Sequence, residues 1–165
     1  MLETDISQVL NVSRAPVREA FRILDRERLV ELLPRKGAVV TAPDVQELTD
    51  IYVVRKALYE ILLRQLMSDC PGDLDAVFEK HMPQLQKSAR AGTDSYALAS
   101  FLLNLEITDL CSNRLVVDLL TSISLRTLRY VRLGLASQPK SIPSKVQTWQ
   151  ALHRAVVSRD LKLVL

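Results

Sequence analysis

Arginines at positions 14, 18 and 22 stand four apart in the run Asn11-Val-Ser-Arg-Ala-Pro-Val-Arg-Glu-Ala-Phe-Arg22. On a helix that spacing lines them along one face. Arginine is the side chain that can bond bidentately to guanine O6 and N7. Val17, Ala20, Phe21 and Leu24 fall at i, i+3, i+4 and i+7 and form an apolar stripe on another face. Ser13 is placed to cap the helix, and Pro16 falls in its first turn, where a missing N–H costs little. A helix with a cationic face and an apolar back suits a DNA major groove. An ordinary surface helix with a solvated basic face carries the same pattern, so the neighbouring elements decide between the two.

Those elements read as a helix-turn-helix with a wing. Leu2 to Leu10 predicts a short helix, with Thr4 as its cap and Leu2, Ile6, Val9 and Leu10 on its buried side. Asn11 ends it, since Asn tolerates the left-handed conformation. After the arginine helix the period changes. Leu29 to Leu33 and Ala38 to Thr41 are β-prone, with Pro34-Arg35-Lys36-Gly37 as the turn between them. A hairpin directly after such a helix is a wing, and its basic tip can lie on phosphate or in a minor groove.

Ala42-Pro43 reads as a linker, which divides the chain into residues 1–42 and 43–165. Asp44 then caps a long helix, with Glu47 three residues on. Leu48, Ile51, Tyr52, Leu58, Ile61 and Leu62 form its apolar side, and it runs to about Met67. Cys70-Pro71-Gly72 breaks it. A helix from Asp73 to Gly92 buries Leu74, Val77, Phe78, Met82 and Leu85, with a kink expected at Pro83. Further helices run from Asp94 to Leu110 and, after a break and cap at Ser112-Asn113, from Arg114 to about Leu135. Gln138 to Pro143 reads as a polar loop. The next helix carries Val146, Trp149, Leu152, Val156 and Val157, and another begins near Asp160.

Composition narrows the function classes. The 165 residues are 48% hydrophobic and 25% charged, as in a soluble globular protein of one or two domains. Aromatics are 5% and glycines number four, which argues against a β-sandwich or a glycine-rich nucleotide site. Between Arg14 and Lys36 there are seven Lys/Arg against four Asp/Glu, and from Leu119 to Arg159 seven Lys/Arg and no acid. The first region can meet phosphate, the second an anion or an acidic surface. Cys70 and Cys111 show no pairing pattern, so a reduced, cytoplasmic protein is expected. No signal peptide and no apolar run of membrane-spanning length is evident. There is no phosphate loop, nucleophile elbow or His-Glu metal helix, so no enzyme is expected.

The run Val12-Ser-Arg-Ala-Pro-Val-Arg-Glu-Ala20, followed by Leu29-Val30 and Lys36-Gly37, closely resembles the winged helix-turn-helix of GntR-family bacterial transcription regulators. Asp50-Ile-Tyr-Val-Val-Arg55, the break at Cys111-Ser-Asn113 and the ending Ala155-Val-Val-Ser-Arg-Asp160 resemble the helical sensing domain of the FadR/FCD branch. The resemblance implies a mainly α protein: a winged helix-turn-helix with a small β-hairpin, then an antiparallel all-α bundle. It implies a homodimer on double-stranded operator DNA, modulated by a small effector, often a carboxylic acid. Arg14 and Arg18 match positions that approach bases or adjacent phosphates. Ser13 and Arg22 match backbone-contact positions, Ala15 lies between the readers, and Arg35, Lys36 and Gly37 match the wing tip. A helical module whose basic hairpin meets RNA or an acidic protein is the alternative.

The departures from the family pattern also carry information. Many members of the branch hold a divalent metal with one Asp and three His. Counted from Asn113, those positions here are Ser100, Asn104 and Trp149, with the last beyond Leu165. No strong ligand remains among them, and the only histidines are His81 and His153, so no metal is expected. Another cation must then hold an acidic effector. Arg126, Arg129 and Arg132, three apart in the acid-free region, are the candidates, with Ser100, Asn104 and Trp149 as neutral lining. The resemblance also implies one further helix before Leu2 and one after Asp160, so a piece of a longer chain is expected.

Overall fold

The computed structural model describes residues 1–34, 36–41 and 44–164. Its elements fall into two units, Met1–Val45 and Gln46–Leu165. Ala42 and Pro43, the expected linker, and Arg35 lie outside the described residues, as does Leu165.

In the first unit, α1 (Glu3–Val9) and α2 (Arg14–Arg26) are joined by a turn in which Asn11 takes φ 52°. That is the left-handed conformation expected of it. β1 (Val30–Leu33) and β2 (Gly37–Val40) pair antiparallel, with Val30 opposite Val40 and Leu33 opposite Gly37. Gly37 has φ +74°, and a Cβ there would lie 2.3 Å from the Met1 carbonyl oxygen. Met1 runs along the outer edge of β2. Its amino group donates to the Ala38 carbonyl at 2.8 Å, and the Ala38 N–H donates to the Met1 carbonyl at 2.9 Å. Position 37 therefore requires glycine twice, for conformation and for space.

The core of this unit is small: Val17, Phe21, Val30 and Ala38, with Ile6 and Leu24 against them. Several expectations are corrected here. Ser13 occupies the N-cap position of α2, but its hydroxyl makes no capping bond. Thr4 lies inside α1, behind Leu2 at the cap position, and its hydroxyl donates to Asp5. Leu2, Val9 and Leu10 are exposed, Val9 by 80%, so the inner side of α1 is Ile6 with Ser7. Ala20 is exposed as well. The physical reason is that α1 spans two turns and the cover of α2 comes mainly from α1 and the small hairpin. So little cover buries a narrow strip of each helix, not a full apolar face.

The second unit is helical: α3 (Val45–Asp69), α4 (Pro71–Ala91), α5 (Thr93–Asp109), α6 (Arg114–Ser137), α7 (Ile142–Val157) and α8 (Leu161–Val164). α4 packs on α5 and α7, and α5 on α6. Only Gly92, at φ 135°, separates α4 from α5, so these packed neighbours run antiparallel. α4 starts at Pro71, two residues earlier than expected, because proline at a first helical position needs no N–H partner. It continues past Pro83 to Ala91, and all five expected core residues are buried. Asn113 caps α6 as expected, its side-chain oxygen accepting from the Val116 N–H at 3.4 Å.

Two readings of this unit change. The polar loop at Gln138–Pro143 is mostly helical: a 3-10 turn at Pro139–Ser141 leads directly into α7, whose first residue, Ile142, is buried. Ile142 acts as an anchor, and Pro143 fits the first turn. On α3, Tyr52 and Ile61 are exposed and Leu63 and Leu66 are buried; on α7, Val157 is exposed and Ala155 is buried. The buried stripe of α3 is Ile51, Leu62 and Leu66, with Leu58 partly buried between them. Arg55 falls in that same stripe, four residues after Ile51 and three before Leu58.

Candidate DNA-binding face and effector cavity

Because Val17 and Phe21 turn inward, the opposite face of α2 is presented outward. Ser13, Arg14, Ala15, Arg18 and Arg22 are all exposed, as is Lys36 in the hairpin turn, with Gly37 half-buried next to it. The three arginines differ in their surroundings. Arg18 is gripped by Glu3 of α1: its Nε donates to both carboxylate oxygens at 3.1 and 3.2 Å, and its Nη2 to Oε2 at 3.0 Å. This contact holds the Glu3 carboxyl below the usual carboxylate range and raises the Arg18 guanidinium. Arg22 stands 3.5 Å from Glu19, a looser pair one turn away on the same helix.

In the helical unit a cavity of about 40 Å³ opens among α3, α5 and α6, lined by residues that include Arg55, Ser100, Asn104, Ser124 and Thr127. Arg55 arrives there because it occupies a core position of α3. Its Nη1 donates to the hydroxyls of Ser124 and Thr127, each at 3.1 Å, and its Nη2 to the Tyr59 hydroxyl at 3.3 Å. The guanidinium also lies 5.0 Å from the centre of the Tyr59 ring. Tyr59 in turn donates to the Asn104 side-chain oxygen. Burial pushes the Tyr59 hydroxyl up, with Arg55 opposing, so it stays a neutral donor. Among the described residues Arg55 has only neutral partners. A half-buried cation without a counter-charge is costly, and an anion in the cavity would relieve that cost.

The expected effector residues separate on this map. Ser100 and Asn104 line the cavity; Arg126, Arg129, Arg132 and Trp149 do not. Arg132 is exposed and donates to Asp94 at 2.9 Å. Arg129 lies 4.8 Å from the Tyr130 ring centre and donates to its hydroxyl. Arg126 is half-buried on the same helix. Trp149 packs on Phe78, with ring centres 6.2 Å apart. The spacing of three explains the scatter: at about 100° per residue, positions three apart step by about 60°, so 126, 129 and 132 spread over about 120° of α6 and do not share one edge. The signal that marks Arg55 was present in the sequence, as an arginine inside an otherwise apolar α3 stripe.

The donors at the aligned metal positions do not suit a divalent ion. The Ser100 hydroxyl donates to the Ala97 carbonyl, and the Asn104 amide is committed to the Ser100 carbonyl and to Tyr59. Neither is a carboxylate or an imidazole. Among the described residues no three His, Cys, Asp or Glu converge. His81 is engaged by Glu106 at 2.6 Å; His153 is engaged by Asp75 at 2.7 Å and stacks on Phe78.

A cationic helix-turn-helix with a hairpin, followed by a helical unit with an inward-facing arginine, is a two-part architecture of winged helix-turn-helix and helical domain. The comparisons agree. The family described as "Bacterial regulatory proteins, gntR family" matches residues 1–40, and the FCD domain matches residues 50–164. The chain belongs to the GntR family, in its FCD branch. It is similar to the HTH-type transcriptional regulator YdhC of Bacillus subtilis, 26% identical over 92 residues, 56% of this chain and 41% of that protein. It is also similar to the gluconate operon transcriptional repressor of B. subtilis, 38% identical over 65 residues, 39% of this chain and 26% of that one. These matches thus span less than half the length of either relative. Among solved structures, E. coli McbR/YncC superposes with TM-score 0.87 at 16% identity, over 99% of this chain and 78% of that one. A GntR regulator from Rhodococcus sp. RHA1 follows with TM-score 0.76 at 20% identity, over the same shares.

Proposed function

We propose that the chain is the DNA-reading and effector-sensing portion of a cytoplasmic, homodimeric regulator. Its α2 face binds double-stranded operator DNA, and its cavity binds a small carboxylate without a metal. The observation that carries this reading is Arg55, a cation on a core stripe whose partners among the described residues are all neutral. Ser124 accepts from Arg55 and so has its own proton to give to an anion. A guanidinium and a hydroxyl together suit a carboxylate. A cavity of about 40 Å³ admits the acid group of a compact ligand, since a drug-sized ligand needs roughly 300 Å³ or more.

On the DNA side, Arg14 and Arg18 are assigned to bases or adjacent phosphates, Ser13 and Arg22 to the backbone, and Lys36 to phosphate at the wing. No bond is made or broken in this mechanism. The acid favours one arrangement of the reading heads, and by linkage operator DNA must alter acid affinity by the same factor. A mobility-shift assay of the intact regulator on palindromic and scrambled duplexes tests the reading. Sequence preference that responds to small carboxylates supports it. Equal binding to both duplexes would instead favour a general anion-binding module.

A further inference from the structure

We propose that Glu3 sets sequence specificity: it holds Arg18 edge-on so that this arginine reads a single base pair and does not settle on phosphate. The inference rests on α2 being the DNA-reading helix. Glu3 occupies the Nε–Nη2 edge of the guanidinium, with contacts of 3.0–3.2 Å. The edge left open is Nη1–Nη2, and that edge can meet guanine O6 and N7 together. The two residues are fifteen apart in sequence and sit on different helices. The carboxylate is therefore carried by α1, which packs on α2, and does not swing with the helix it steers.

The three arginines of the face are thereby distinguished. Arg14 makes no hydrogen bond or ion pair among the described residues, and Arg22 has only its loose neighbour Glu19. Neither of those two is held in one orientation by a second helix. Arg18 is oriented before DNA arrives, so less rotamer freedom is lost on reading a base. Glu3 also places a negative charge where phosphate would otherwise approach. A non-cognate duplex, which offers Arg18 no acceptor pair, meets that repulsion without compensation.

The test uses the full-length regulator and a duplex selected by it from a random library, with a mixed-sequence duplex as competitor. Glu3→Gln, an isosteric change at a half-buried site, is expected to tighten mixed-sequence binding. It should reduce the selected-to-mixed affinity ratio by about tenfold, the scale of one base-pair contact. Selection repeated with the variant should lose preference at one base pair per half-site and keep the rest. In an Arg18→Ala background the same change should leave the ratio unaltered. If the wild type selects a duplex but Glu3→Gln keeps its ratio, or if the effect persists undiminished without Arg18, the role of Glu3 is overturned while the regulator reading stands. If the wild type selects no duplex at all, both are overturned.

Discussion

The two arginine sites differ in how they are made. On α2 the charges are exposed, repeat every four residues and are held by a four-residue core behind them. In the helical unit one arginine replaces an apolar side chain on a core stripe and meets hydroxyls from residues 69 and 72 positions away. The first arrangement is local and spreads several charges over a surface. The second is convergent and sets one charge at a small cavity. Exposed arginines bind through number and position and are screened by salt. A half-buried one acts singly, at low dielectric, and its loss has no substitute.

The contrast can be broken most severely at the core of the smaller unit. Phe21→Ala is expected to cost about 3–5 kcal/mol, more than a core of four residues can absorb. Hydrogen exchange should then show residues 1–41 unprotected while α4 and α5 keep their protection. Uniform loss of protection would mean that the units do not fold separately. Next in size is Arg55→Gln. Removing a charged donor should lower small-carboxylate affinity by about 10- to 100-fold, read by calorimetry, with DNA affinity in the absence of acid unchanged.

Smaller effects separate the DNA contacts from one another. Arg14→Ala should cost about 1–3 kcal/mol of binding to a selected duplex if it reads a base. Lys36→Ala should weaken all sequences alike and reduce the salt slope by about one. The least effect is expected at Arg132. Its partner Asp94 has its carboxyl held below the usual range by that arginine. A lowered folded value means the pair stabilises above the ordinary carboxylate pKa and loses this as pH falls through the lowered one. Both groups are exposed, so salt should erase the effect, and Arg132→Ala should leave acid binding untouched. An acid-binding loss there would return the effector site to α6.

Local pattern explains what was legible in the chain. The Asn11 turn, the hairpin around Gly37, the Asn113 cap and the core of α4 each depend on residues within one or two turns of each other, and sequence spacing displays them. The apolar extent of α1 was not legible, because how much of Val9 and Leu10 is covered depends on what packs there. The cavity was half legible. Ser100 and Asn104 could be placed by alignment to the metal positions of the branch, but a cation spaced on α6 could not be assigned without the rotation of that helix. Arg55 was visible as a charge breaking an apolar stripe, a sign that a buried polar role was needed there. Positive charge runs without acids from Leu119 to Arg159, and charge density does not indicate where a helix faces.

The most direct measurement is the affinity of the intact regulator for its selected duplex, titrated with a series of small carboxylates, for wild type and Arg55→Gln side by side. At least one acid is expected to shift wild-type DNA affinity by roughly five- to 150-fold, the usual range of allosteric coupling, and to leave the variant unmoved at the acid-free value. An acid that shifts both proteins equally, or a series that shifts neither, would contradict it.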